Sequence, residues 1–100
     1  MRRAAKIDVN QPAIVDALRK AGATVQSLAA IGKGCPDLLI GYANKTALIE
    51  VKDGDKVASA QKLRPMQQDW HQNWRGGTLA TVNDVESALS VLTVMRKSER

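Results

Sequence analysis

The stretch from Gly34 to Lys52 constrains this chain most. It reads Gly34-Cys35-Pro36-Asp37-Leu38-Leu39-Ile40-Gly41, a polar break, then Ala47-Leu48-Ile49-Glu50-Val51-Lys52. Two short apolar runs flank Gly41-Tyr42-Ala43-Asn44-Lys45, the residue types of a turn, so the pattern predicts a β-hairpin. A loop of about four residues, Tyr42 to Lys45, pairs Gly41 with Thr46. That register sets Asp37 opposite Glu50. Residues facing each other across an antiparallel pair have Cβ atoms roughly 4.5–5.5 Å apart, a separation at which two carboxylates repel. Lys52 follows Glu50 by two residues and so shares its strand face. Charges at strand ends usually mark the solvated rim of a sheet. Here the spacing gathers two acids and an amine at one point, which an apolar strand pair does not need.

Paired carboxylate oxygens suit a hard divalent cation such as Mg²⁺ or Mn²⁺. Asp37 and Glu50 are the expected ligands, with the backbone carbonyl of Val51 as a third oxygen. Such an ion polarises a phosphate oxygen and lowers the pKa of a bound water. Lys52 would hold or help deprotonate that water, or offset charge developing at phosphorus. The matching reaction is in-line hydrolysis of a phosphodiester.

These residues carry a resemblance. Pro36-Asp37 followed after a hairpin by Glu50-Val51-Lys52 resembles the PD-(D/E)xK nuclease superfamily. With Gly34-Cys35-Pro36-Asp37-Leu38-Leu39, Ile49-Glu50-Val51-Lys52 and a downstream Gln67, the chain is similar to its VRR-NUC branch over about Asn10 to Leu92. Small stand-alone members of that branch, often phage-borne, consist of one such domain. The resemblance implies a restriction-endonuclease-like core, Asp37 and Glu50 as metal ligands, Lys52 as the catalytic lysine and Gln67 as an accessory active-site residue. It also implies an endonuclease acting on DNA, with a preference for branched or Holliday-junction-like structures, and a homodimer with paired sites. Relatives often place a carboxylate near the start of the first helix. Asn10 and Gln11 stand there instead, amides that can bond the water shell of a metal but bring no charge.

The rest of the chain fits one domain. Fifteen Lys and Arg against ten Asp and Glu give a net charge of +5, a balance that favours polyanions such as nucleic acid. No apolar run is long enough for a membrane span, and Met1 to Lys6 lacks the apolar segment of a signal peptide. A single cysteine, Cys35, forms no internal disulfide, so a reducing cytoplasm is expected, that of the host if a phage encodes the chain. Arg2, Arg3 and Lys6 form a basic arm within residues 1–9. Lys33, between Gly32 and Gly34, is the first candidate to hold a DNA strand, and Lys62, Arg64 and Arg75 are weaker ones.

Element by element, Asn10 to Ala21 reads as a helix with Asn10 as N-cap and Pro12 in its first turn. Ala23 to Ala30 reads as a strand. Asp53-Gly54-Asp55 forms a turn. Pro65 opens a helix over Met66 to Trp74 whose Met66, Trp70 and Trp74 recur at i, i+4, i+8 and are expected to face the core, with Gln67 and His71 on a neighbouring stripe. A lone surface histidine is the reading for His71. Thr78 to Val82 is a strand, Asn83 through Glu86 resembles a capping box, and Val85, Ala88, Leu89, Leu92 and Met95 line a last helix. Residues 96–100 make a charged tail that is expected to be disordered. The expected fold is α/β, order αβββαβα, a mixed sheet flanked by helices over residues 1–100. Two rivals remain: a non-catalytic nucleic-acid-binding module with a structural Asp/Glu/Lys cluster, and a small protein whose basic face meets an acidic partner.

Overall fold

The hairpin forms in the expected register. In the computed structural model, which describes residues 8–56 and 62–97, β2 (Leu38–Tyr42) pairs antiparallel with β3 (Lys45–Val51), Gly41 against Thr46 and Leu38 against Ile49. Tyr42 and Lys45 also pair, so the loop shrinks from four residues to the two between them. Ala43 and Asn44 both take positive φ, 52° and 63°. That left-handed pair matches the twist of the strands, as two-residue hairpin turns require.

Around the hairpin the order is α1 (Gln11–Lys20), β1 (Thr24–Ser27), β2, β3, α2 (Pro65–Asn73), β4 (Thr78–Val82) and α3 (Val85–Lys97). This is a small single-domain α/β fold of order αβββαβα. The sheet is mixed, β1-β2-β3-β4, antiparallel except for the parallel pair β3–β4. Side-chain alternation gives it two unlike faces. Leu38, Ile40, Ala47, Ile49, Val51 and Val82 bury one face against Ile14 and Leu18 of α1 and Ala88, Val91, Leu92 and Met95 of α3. Asp37, Leu39, Leu48, Glu50 and Lys52 belong to the other. Among the described residues no helix is long and apolar enough to cross a membrane.

Several boundaries differ from expectation. The first strand covers only Thr24–Ser27 of 23–30. Leu28 N–H still donates to the Asp37 carbonyl at 2.8 Å, after which a turn closes from Ile31 N–H to the Leu28 carbonyl. Asn10 precedes α1, yet its side chain does not cap the helix. Its amide instead donates to the carbonyls of Lys52 and Asn83, both at 3.0 Å, and ties the helix start to the ends of β3 and β4. The α3 cap is Asp84, one residue beyond the expected Asn83: Asp84 Oδ1 accepts Ser87 N–H at 2.7 Å. In return Ser87 Oγ accepts the N–H groups of Asn83 and Asp84. Arg96 and Lys97, expected in the tail, complete α3. Arg96 bonds the Tyr42 hydroxyl with its guanidinium 5.3 Å from the ring centroid, and Lys45 Nζ reaches the Met95 carbonyl at 2.9 Å, so the hairpin holds this last turn. Arg2, Arg3, Lys6 and residues 98–100 lie outside the described residues.

The largest correction concerns α2. Met66, Trp70 and Trp74 do not face the core, because no residue of α2 is buried. Met66 is 60 % and Trp74 38 % exposed. The physical reason is occupancy: α1 and α3 already cover the apolar face of the sheet. What remains for α2 is the other face at the end where the hairpin carries its charges.

An alanine held at positive φ costs roughly 1–2 kcal/mol, part of which a glycine returns through its freer unfolded chain. Ala43→Gly is therefore expected to stabilise the fold by about 0.5–1 kcal/mol. The check is a higher urea midpoint at unchanged slope.

Candidate metal and catalytic centre

Asp37 stands immediately before β2, and one further step of the hairpin register sets it opposite Glu50 near the end of β3. Glu50 keeps 2 % of its surface, and Asp37 and Lys52 7 % each. An isolated buried ion costs several kcal/mol, so each of these groups needs a partner close by.

Pro36 provides the first partnership by what it lacks. The next rung of the β2–β3 ladder would join Val51 to Pro36, which has no N–H to give and caps the pairing there. Val51 N–H turns instead to Asp37 Oδ2, at 2.7 Å. The following N–H, that of Lys52, points the other way, to the Val82 carbonyl at 2.8 Å. Val51 therefore presents both its N–H and its carbonyl on the Asp37 side. That carbonyl, expected as a third oxygen ligand, meets a register partner with no proton to offer it.

Gln67 provides the second. Its amide oxygen accepts Lys52 Nζ at 2.8 Å and Arg64 N–H at 2.8 Å, while its amide nitrogen donates to Glu50 Oε2 at 3.0 Å. Lys52 Nζ also stands 3.5 Å from Glu50 Oε2. One side chain thus caps the first turn of α2 and braces both ends of the Glu-Val-Lys motif. The helix is placed for this by Gly34, at φ 84°. A Cβ there would lie 2.5 Å from the Met66 carbonyl oxygen. The loop backbone thus comes close to α2 at a point where no side chain would fit. Lys33 lies within the turn, exposed, at φ 56°.

The electrostatics follow from this burial. Glu50 is pushed up to about 8, first by burial, then by the charge of Asp37, with Lys52 opposing. Burial also raises Asp37, against the pull of the Val51 N–H and of a hydrogen bond from Glu50. Burial and mutual repulsion therefore both favour a proton held within the pair. Glu50 Oε1 is buried and meets no N–H or ammonium donor, and a carboxyl oxygen left with only a second acid beside it is the position a cation would fill. Among the described residues no three His, Cys, Asp or Glu side chains gather around a point suited to a metal. The ligand set on offer is two carboxylates and a backbone carbonyl.

Gln11 is 4 % exposed, and its Oε1, like Asn10 Oδ1, is buried without a partner. Lys62, Arg64 and Arg75 are exposed around α2. Asp53 and Asp55 form the expected turn, Asp55 N–H bonding Asp53 Oδ1 at 2.9 Å. Burial, then the charges of Glu50 and Asp37, raise the Cys35 thiol, which keeps it unreactive. His71 is not a plain surface residue: it is half-buried with Nε2 unpartnered, and burial and the Lys52 charge lower its pKa. Asp8 went unnoticed in the sequence, hidden in a stretch read as basic. Its carbonyl accepts Gln11 N–H at 3.0 Å, and its charge is felt at Asp37. An acid at the approach to the first helix was the available signal.

Compared with known protein families, with curated proteins and with solved structures, the chain matches nothing in any of the three.

The Glu50 shift has a defined pH signature. The folded chain keeps a proton that the unfolded chain loses near 4.5, so the stability from this group is complete below that pH and is lost as pH rises to about 8. In EDTA the urea midpoint is expected to fall across this window, and Glu50→Gln to flatten the fall. Added Mg²⁺ should restore stability at the upper end and release a proton, measured by calorimetry in buffers of different ionisation enthalpy.

Proposed function

We propose that this chain is a Mg²⁺- or Mn²⁺-dependent endonuclease that hydrolyses DNA phosphodiester bonds, built on a restriction-endonuclease-like core of the VRR-NUC kind. The observation that carries the reading is the buried Glu50 Oε1, which meets no N–H donor and has only Asp37 opposite it, beside a Val51 carbonyl that Pro36 cannot pair. Asp37, Glu50 and the Val51 carbonyl would hold the ion, which when bound supplies Lewis acidity toward a phosphate oxygen and neutralises the acid pair. Glu50 would give up its proton on taking up such a cation. Lys52 Nζ is held by Gln67 Oε1 and Glu50 Oε2, placed to stabilise negative charge that grows on the phosphate oxygens in the transition state. Gln67 positions Lys52 and Glu50 together, so its loss should disturb both. The basic balance of the chain supports a polyanionic substrate, and a homodimer with paired sites would widen the surface available to it.

A second reading is favoured by the completeness of the Gln67–Lys52–Glu50 bonds, which close on themselves. On that reading the cluster is structural and the chain binds nucleic acid without cutting it. The two separate in one experiment. End-labelled single strands, duplexes, flaps and four-way junctions are incubated with EDTA, Mg²⁺ or Mn²⁺. Cleavage is expected only with metal, and Lys52→Ala should lower its rate by about 10²–10⁴-fold while circular dichroism is unchanged. Cleavage that persists in EDTA, or that Asp37→Asn leaves intact, overturns the proposal. Equal DNA binding with and without metal, and no cutting at all, selects the structural cluster.

A further inference from the structure

We propose that the Met66–Trp70–Trp74 stripe, which runs along α2 to its C-cap Trp74, is a stacking platform for an unpaired base of the DNA strand whose backbone reaches the acid pair. The inference rests on the reading of the chain as a DNA-acting protein and narrows its substrate to DNA with unpaired nucleotides beside the attacked bond.

The stripe is apolar and open, with Met66 at 60 % and Trp74 at 38 % exposure and Trp70 half-buried. Exposed apolar side chains in line need a reason, since a helix gains nothing by presenting them to water. The rings are also fixed. Trp70 and Trp74 stack with centroids 5.1 Å apart and planes 16° from parallel. Trp74 Nε1 donates to the Gly77 carbonyl at 2.9 Å, and a Cβ at Gly76 would run into the Trp74 ring. A rigid aromatic pair loses little entropy when a base comes to rest on it.

Position and charge select the occupant. The helix that carries most of the stripe also delivers Gln67 to Lys52 and Glu50, and Trp70 follows Gln67 by less than one turn, about 4.5 Å of rise. Lys62 and Arg64 precede the helix and Arg75 follows it, all exposed, with Lys33 in the loop that Gly34 locks against Met66. Asp69 is the one acid in α2. Cations bracketing aromatic rings are the arrangement that tracks a single strand, phosphates on the charges and bases on the rings. A protein partner fits less well. Stable interfaces bury roughly 800 Å² on each side, and three side chains, two of them partly covered by each other, fall short of that. Bases inside an intact duplex are already stacked, so the platform rewards only a base that has left its pair.

Trp70 and Trp74 are the only tryptophans in the chain, so intrinsic fluorescence reports on the stripe directly. The full chain is titrated in EDTA with a blunt duplex and with the same duplex carrying a single-stranded flap. The flap is expected to quench the fluorescence and the blunt duplex not to. Trp74→Ala should weaken flap binding by about 5- to 140-fold, the loss of one base–aromatic stack, and leave duplex binding unchanged. Trp74→Phe should retain most of the affinity. Met66→Glu, at an exposed position outside the ring pair, should weaken flap binding in the same way, and it decides the matter if Trp74→Ala fails to fold. Equal losses on both DNAs, an absence of quenching, or conversion of a dimer to a monomer by Met66→Glu in sedimentation overturns the proposal. Cleavage is scored separately with Mg²⁺: no cutting of any DNA sinks the nuclease reading while flap-selective quenching stands, and cutting without selectivity does the reverse.

Discussion

Two carboxyl groups buried across a hairpin cannot both stay ionised unless positive charge stands between them. The local structure follows from this constraint. Asp37 is settled by a backbone N–H that Pro36 leaves free for it, and Glu50 by a proton together with Gln67 and Lys52. One oxygen, Glu50 Oε1, has no N–H donor and only the second acid to turn to. A buried acid pair that holds on to a proton is costly to the fold. A purely structural cluster would lose nothing if Asp37 and Glu50 were replaced by apolar residues of similar shape, since swaps of buried ion pairs for hydrophobic residues are often neutral or stabilising. The cost is understandable if a cation completes the site.

The helices divide accordingly between stability and chemistry. α1 and α3 bury the apolar face of the sheet and supply the core. α2 has no fully buried residue and is attached through particular contacts: Gln67 to Lys52 and Glu50, and Gly34 against Met66. An element with few apolar contacts is where local opening is cheapest. α2 can therefore adjust to a bound strand without disturbing the core, and any adjustment reaches Lys52 directly through Gln67.

Much of this was legible in the chain because a strand pair has little freedom once its apolar residues alternate. The hairpin register, and with it the meeting of Asp37 and Glu50, followed from counting outward from Gly41 and Thr46. The details that escaped are those decided by partners distant in sequence. Met66, Trp70 and Trp74 have the same helical spacing whether they meet a core or water, and only the prior claim of α1 and α3 on the sheet decides between the two. Asn10 is a good capping residue that two distant carbonyls recruit instead. Asn83 and Asp84 are equally able caps, and the choice between them turns on where Ser87 falls. Asp8 is invisible as a neighbour of Asp37 until the first helix is laid across the end of the sheet. Gln67 was legible by resemblance, and its triple engagement was not.

The hairpin register also explains why the candidate centre is inseparable from the fold. Sliding β3 by one residue against β2 would turn Ile49 and Val51 out of the core and drive Glu50 into it. The apolar alternation forbids that slip, and the two-residue Ala43-Asn44 turn counts the residues from the other end. The same two features that let the sheet bury its core therefore set the separation of the acid pair. Asp37, Glu50 and Lys52 are all positioned by that strand pairing, which leaves Gln67, delivered by α2, as the member of the centre brought from outside the hairpin.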